Sequence, residues 1–290
     1  MVITRRRFLK GLCCFAFFTV GKGVLPRTVF IPKCDRIASE IEANLYRSCF
    51  IGTGSIGRQI GLNLAQQYFD PTYAIDTYLN WEMGDRYNDQ FDDYIIIFIA
   101  GKFDDPDFWH ARKVAASASP HLIVSLVHGK KIDQNLLEDP MPGECQIHLS
   151  SKKQIQTAID LMTTLCSPIK LPQLMGLDYQ DIKSVLLGKR GVGFTIRSTF
   201  ENCVPALARA VRTHKRLLQN SESIFAYFSC DYTIENYFSF YVLDNLLDLI
   251  HDNIPENVAI IYGTPLSRKI DTQFQSTIIV CSSHSSVWRI

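Results

Sequence analysis

The sequence predicts an α/β protein with a parallel sheet in its first half and a smaller mixed sheet in its second. Three observations carry that prediction. A β-branched and aromatic run, Leu45–Ile51, enters Gly52-Thr53-Gly54-Ser55-Ile56-Gly57 and is followed by a helical pattern. Two continuous apolar runs, Asp93–Gly101 and His121–Val127, flank a further helix and read as strands buried on both faces. The second half then alternates helix, strand, helix, strand, helix, strand, strand. Of the 290 residues, 47% are hydrophobic and 20% charged, which gives room for two modest domains. The formal net charge of +1 supplies no global basic field for nucleic acid. The 9 cysteines are scattered, with no CxxC pair and no zinc-type spacing, so no metal site is expected from them.

Residues 1–25 stand apart from the fold. Thr4-Arg5-Arg6-Arg7-Phe8-Leu9-Lys10 precedes an apolar run, Leu12–Val20, that is too short for an ordinary membrane span. A basic start with a short apolar core is signal architecture, and the basic part resembles a twin-arginine export signal. Gly21-Lys22-Gly23 is a poor substitute for the usual cleavage site. The segment is expected to direct the chain to the inner membrane or across it, or to lie on a membrane surface; otherwise the chain is cytoplasmic.

The domain over 26–151 is predicted to be Rossmann-like and nucleotide-binding. A short helix spans Cys34–Asn44, and strand Leu45–Ile51 leads into the glycine turn. Gly52, Thr53, Gly54, Ser55 and Gly57 can bring backbone N–H groups to a phosphate at a helix N-terminus. The same pattern also suits a tight strand-to-helix turn with no ligand. Tyr73–Asp76 is expected to end a second strand, with Asp76 placed for ribose hydroxyls; residues 77–91 read as loop. Strand Asp93–Gly101 ends at the edge where open α/β sheets bind ligands. Beyond Gly101, Asp104, Asp105 and Asp107 would repel a polyphosphate unless a cation intervened; as a plain loop they would cap the helix His110–Ser119. Strand His121–Val127 follows, and 128–150 reads as a Pro/Gly-containing connection.

A connecting helix over 152–166 carries Ile155, Ile159, Leu161, Met162 and Leu165 on its apolar side. The domain over 167–290 opens with Gly176-Leu177-Asp178-Tyr179-Gln180-Asp181, where Asp178 can cap a helix whose stripe is Ile182, Val185 and Leu186. Strand Gly191–Ile196, helix Asn202–Leu218, strand Ser223–Ser229, helix Ile234–His251 and strands Asn257–Gly263 and Gln275–Cys281 complete it. Arg209, Arg212, Lys215 and Arg216 line part of helix Asn202–Leu218, as a solvated basic face or an anion site.

This second half resembles the FtsZ/tubulin family. Gly176–Leu186 looks like its catalytic loop and helix, Ala206–Val211 through Leu217-Leu218 like its Arg-Ala-x-x-Ala-Ile…Pro-Leu-Leu helix, and Asn257–Thr264 through Ser276–Val280 like its closing strands. The resemblance implies an FtsZ/tubulin-like fold over roughly residues 45–282, with the Rossmann-like domain joined by the helix to the smaller α/β domain. It implies GTP or GDP, bound with magnesium, in a cradle that includes Gly52–Gly57 and Gly101. It also implies Asp178 and Asp181 as residues that orient water in a neighbouring subunit's site, and filament-type self-association. This sequence departs from the pattern in several places. Lys102–Trp109 stands where a glycine-rich phosphate loop belongs, the glycine-rich γ-phosphate loop before Asp92 is absent, and Gly176 replaces an Asn. The guanine-contacting Asp has no match, with Gln154 and Gln156 nearby. GTPase activity is therefore expected to be weak or lost. The alternatives are a non-catalytic interaction protein on the same fold, and a dinucleotide-binding oxidoreductase using Gly52, Gly54, Gly57 and Asp76.

Overall fold

A computed structural model describes residues 47–67, 76–78, 94–117, 122–129, 139–149, 153–170, 177–230, 240–265 and 273–283. All of them belong to the compact unit Ser39–Ile290. The basic and apolar segment 1–25, the helix expected at Cys34–Asn44 and residues 79–91 of the expected loop lie outside the described residues, while Thr77 and Tyr78, expected to open that loop, are strand.

The strands are β1 Arg47–Gly52, β2 Asp76–Tyr78, β3 Tyr94–Gly101, β4 Leu122–His128, β5 Glu144–Leu149, β6 Arg190–Ser198, β7 Ser223–Cys230, β8 Ala259–Gly263 and β9 Phe274–Ser282. They form one sheet in the order β2-β1-β3-β4-β5-β6-β9-β7-β8. From β2 to β6 every pairing is parallel. β9 runs antiparallel to both β6 and β7, and β8 is parallel to β7. The predicted parallel half and mixed half are therefore both present. They meet at the β5–β6 pair, where Ile147 lies opposite Gly191 and His148 opposite Val192.

The helices are α1 Gly54–Gln67, α2 Pro106–Ser117, α3 Gln154–Lys170, α4 Tyr179–Leu186, α5 Cys203–Thr213, α6 Lys215–Gln219 and α7 Phe240–His251. Successive strand residues point to opposite faces, and the core divides accordingly. Ile97 and Ile99 join one apolar cluster with residues of α2, α5, α6 and α7. Phe98 and Ala100 join the other, with residues of α1, α3 and α4. The protein is thus a sheet covered on both sides, which is why β3 and β4 are apolar at nearly every position and buried throughout.

Several boundaries differ from the sequence expectation. β5 occupies part of the stretch expected to be a plain connection. α2 starts four residues earlier than expected, at Pro106, whose fixed φ suits the first helical position. α3 runs on to Lys170 through Pro168. The helix expected over Asn202–Leu218 breaks at His214 into α5 and α6. Asp76 opens β2 rather than closing it and lies in register with Cys49 in the middle of β1. That removes it from the ligand edge at which it was expected to meet a ribose.

One buried ion pair ties the layers. Arg112 on α2 meets Glu144 at the start of β5 with Nε–Oε1 and Nη2–Oε2 both 2.7 Å, and neither side chain is exposed. Ser125 Oγ donates to the same carboxylate, as does the Met141 backbone N–H at 2.7 Å. The guanidinium lies 4.3 Å from the Trp109 ring centre. The described cysteines are all buried, as expected of small apolar side chains.

Candidate functional site

The glycine turn stands at the C-terminal edge of the parallel strands. Thr53 N–H donates to the Ala100 carbonyl at 2.9 Å, and its hydroxyl reaches the same oxygen at 3.2 Å. These bonds tie the turn to the end of β3, so Gly52, Thr53, Gly54, Ser55, Gly57 and Gly101 share one edge. Helix α1 begins at once at Gly54, and its first N–H groups have no partner within the helix. Such a terminus favours an anion.

Two glycines are required here for different reasons. A Cβ on Gly57 would lie 2.6 Å from the Ala100 carbonyl oxygen, so α1 packs backbone to backbone on the sheet. Gly54 has φ +61°, a conformation that side chains resist. A Cβ there would also lie 3.1 Å from Asp105 Oδ2. The acidic loop after β3 therefore brings a carboxylate up to the turn itself.

That loop is held in place. Asp105 N–H donates to the Lys102 carbonyl at 3.1 Å, and Asp105 Oδ1 accepts from Asp107 N–H at 3.0 Å, capping α2. Phe103 and Phe108 pack edge to face at 5.9 Å beneath it. Gly101 lacks a side chain because Thr53 Oγ1 and the Phe108 ring fill the space.

His128 joins this edge, and sequence reading did not single it out. It closes β4 one residue past the apolar run, at the height of the glycine turn. The side chain is 5% exposed and its Nδ1 has no hydrogen-bond partner. Burial pushes its pKa down from 6.5 to about 4; the Lys102 charge adds to the shift, while Asp104 and Asp105 oppose it. Next to it, His148 on β5 meets the Gly129 carbonyl at 3.0 Å through Nε2, and burial lowers its pKa too. The only signal for His128 was its place at the C-terminal end of a parallel strand.

The other expected residues lie elsewhere. Gln156, in the first turn of α3, donates to Asp160 Oδ1 at 3.0 Å, and Asp160 Oδ1 takes Arg197 Nη2 at 2.6 Å. Gln156 thus joins a polar chain linking α3 to β6. Asp178 and Asp181 form a capping box on α4: Asp178 Oδ1 accepts from Asp181 N–H at 2.9 Å, and Asp181 Oδ2 accepts from Asp178 N–H at 3.3 Å. α4 packs on β7 and β8. β8 stands seven places from β1 in the sheet, on the order of 30 Å away at the usual strand spacing. One chain does not bring these aspartates to its own glycine turn. Among the described residues, no group of three or more His, Cys, Asp or Glu side chains could hold a metal ion.

A parallel half joined by a long helix to a mixed-sheet half is the FtsZ/tubulin fold. No protein-family model matches the chain, and no curated protein matches it in sequence. Solved structures do. An FtsZ dimer of M. jannaschii aligns with TM-score 0.61 at 11% identity, over 86% of this chain and 92% of that one. TubZ of Bacillus thuringiensis serovar israelensis, in GDP-form protofilaments, aligns with TM-score 0.52 at 9% identity, over 86% and 91%. CetZ of Methanosaeta thermophila strain DSM 6194 gives 0.52 at 10% identity, over 83% and 89%. At such identities the likeness carries the fold alone.

Proposed function

We propose that this chain is a divergent FtsZ/tubulin-like protein that self-associates end to end and whose GTP binding and hydrolysis are weak or lost. The observation that carries the reading is Asp105, whose Oδ2 faces Gly54 across the glycine turn. The helix N-terminus and the positive φ of Gly54 suit a phosphate. A carboxylate fixed beside them does not, because like charges at such range repel unless a cation lies between. A GTP or GDP held by Gly52, Thr53, Gly54, Ser55, Gly57 and Gly101, with Gln156 toward its base, would meet that charge. It would bind only with magnesium in compensation. Bound there, GTP would supply a γ-phosphate for attack by water; GDP would not.

Self-association is supported by the neighbours, whose structures include an FtsZ dimer and TubZ protofilaments. The Asp178 loop supports the end-to-end direction. Asp178 is exposed and far from its own glycine turn, so its carboxylate is free to face that of a second copy, with Asp181 holding it through the capping box. The two halves of the sheet support a division into domains over 26–151 and 167–290 about the helix at 152–166. The basic and apolar composition of residues 1–25 supports contact with a membrane. Among the described residues, no helix is long and apolar enough to cross one.

The test is thermal unfolding of the full chain with GTP, GDP, ATP or NADH, each with magnesium. Ligand at about a hundred times its Kd stabilises a fold by about 2.7 kcal/mol, so tight binding is easily seen. The expected result is little or no shift for the natural chain at micromolar nucleotide. Asp105→Asn, which removes the charge while keeping the cap, should gain a shift with GTP or GDP. A large shift for the natural chain with either would contradict the weak-binding reading, and a shift with NADH alone would favour a dinucleotide enzyme.

A further inference from the structure

The helices that cover one face of the mixed half carry two charged stripes of opposite sign. Helical periodicity sets both. On α5, Cys203, Leu207 and Val211 recur on one side and are buried. Arg209 and Arg212 fall on the other side and are exposed, as is Arg216 on α6. On α7, Leu243, Leu246, Leu247 and Ile250 take the buried side. Asp244 and Asp248 are exposed away from it, and exposed Asp252 follows just past the helix end. Tyr241 opens this second stripe. It is 75% exposed, more than any other exposed large apolar side chain among the described residues.

The two stripes lie on one surface. The buried residues of α5, α6 and α7 enter the same apolar cluster, and α5 packs against α7. Both stripes therefore point away from the same face of the sheet. The charges are sorted between them. Residues 203–219 hold Arg209, Arg212, Lys215 and Arg216 and no Asp or Glu; residues 240–256 hold Asp244, Asp248, Asp252 and Glu256 and no Lys or Arg. Among the described residues, none of these eight side chains forms an ion pair. At the helical rise, Arg209–Arg216 spans about 10 Å and Asp244–Asp252 about 12 Å. One stripe is thus long enough to lie along the other, and a single chain does not join them.

We propose that this surface docks on a second copy of the chain, the two related by a twofold axis that runs between α5 and α7. That rotation lays the basic stripe of each copy over the acidic stripe of the other, so each favourable contact occurs twice. Charge selects the occupant. A nucleic acid or an anionic membrane would be drawn to one stripe and repelled by its neighbour, whereas a copy offers both signs at matching length. Tyr241 adds an aromatic contact of the kind enriched at interfaces. The pair is lateral. Helices α1 and α4, which follow the glycine turn and the Asp178 cap, pack on the other face of the sheet, so this contact and the end-to-end one use different surfaces.

The test is sedimentation of the full chain and its charge-reversed forms at low salt. Changing Arg209, Arg212 and Arg216 each to Glu leaves both stripes mainly acidic. Changing Asp244, Asp248 and Asp252 each to Lys leaves both mainly basic. Either triple variant alone should associate about tenfold or more weakly, because like charges then face each other. An equimolar mixture of the two should recover association, as should one chain carrying all six changes, since opposite stripes meet again. Raising salt to about 0.5 M should weaken the natural pair. All six positions are exposed, so circular dichroism should show each variant folded like the natural chain. A natural chain that stays monomeric at low salt, triple variants that associate as it does, or a mixture no better than its parts would overturn the proposal. Adding Asp178→Ala to both triple variants separates the two contacts: the mixture should still recover, and recovery that disappears would assign the association to the end-to-end contact instead.

Discussion

His128 gives the edge of the sheet a pH dependence. In the unfolded chain its imidazole takes a proton as pH falls through 6.5, but burial holds the folded form neutral down to about 4. Above 6.5 both states are neutral and no penalty applies. Below it the unfolded state binds the proton first, so stability falls between about pH 6.5 and pH 4, by on the order of 2–3 kcal/mol. His148 and His214, also lowered by burial, act in the same direction. Urea unfolding across this range should show the loss, and His128→Leu, which has nothing to protonate, should flatten the slope. An unchanged slope would remove His128 from the explanation. At this scale the sequence was half legible. The spacing of Gly52, Gly54 and Gly57 announced a tight turn, and the turn is there. That Asp105 would face Gly54 was not legible, because it depends on how the Phe103–Phe108 packing seats the loop.

Between elements, two polar contacts carry separate tests. The capping box on α4 satisfies two backbone N–H groups, and losing an Asp cap costs about 1 kcal/mol. Asp178→Ala should therefore lower stability by roughly that amount. If the exposed carboxylate also meets a second copy, the substitution should weaken assembly by more than this small loss explains, as sedimentation would detect; assembly unchanged would leave the capping role alone. The Arg112–Glu144 pair sets a larger cost. Glu144→Gln leaves a buried guanidinium without its counter-charge, a change that costs roughly 3–5 kcal/mol. Replacing both residues with Met should cost less than the single change, and chemical denaturation would compare them. This contact also explains why β5 escaped the sequence reading. Glu-Cys-Gln-Ile-His-Leu alternates polar and apolar residues after a Pro/Gly stretch, which suits an exposed loop as well as a strand. Glu144 can be buried only because Arg112, on α2, supplies the opposite charge.

Across the whole molecule, the pairing of β5 with β6 joins the parallel and mixed halves into one sheet. The capped loop at Asp178 and the glycine turn then lie near opposite ends of that sheet. On the proposed reading these two features meet head to tail between copies, since one chain cannot satisfy one with the other. The order of elements made the fold class legible from the start, since apolar strands alternating with helices admit few topologies. Assembly is a property of surfaces, and no spacing of residues announces it. Sedimentation velocity of the full chain over a concentration series, with and without magnesium and GTP, addresses it most directly. The average mass is expected to rise with concentration, and GTP to change it little. A monomer at every concentration, or assembly only when GTP is present, would contradict it.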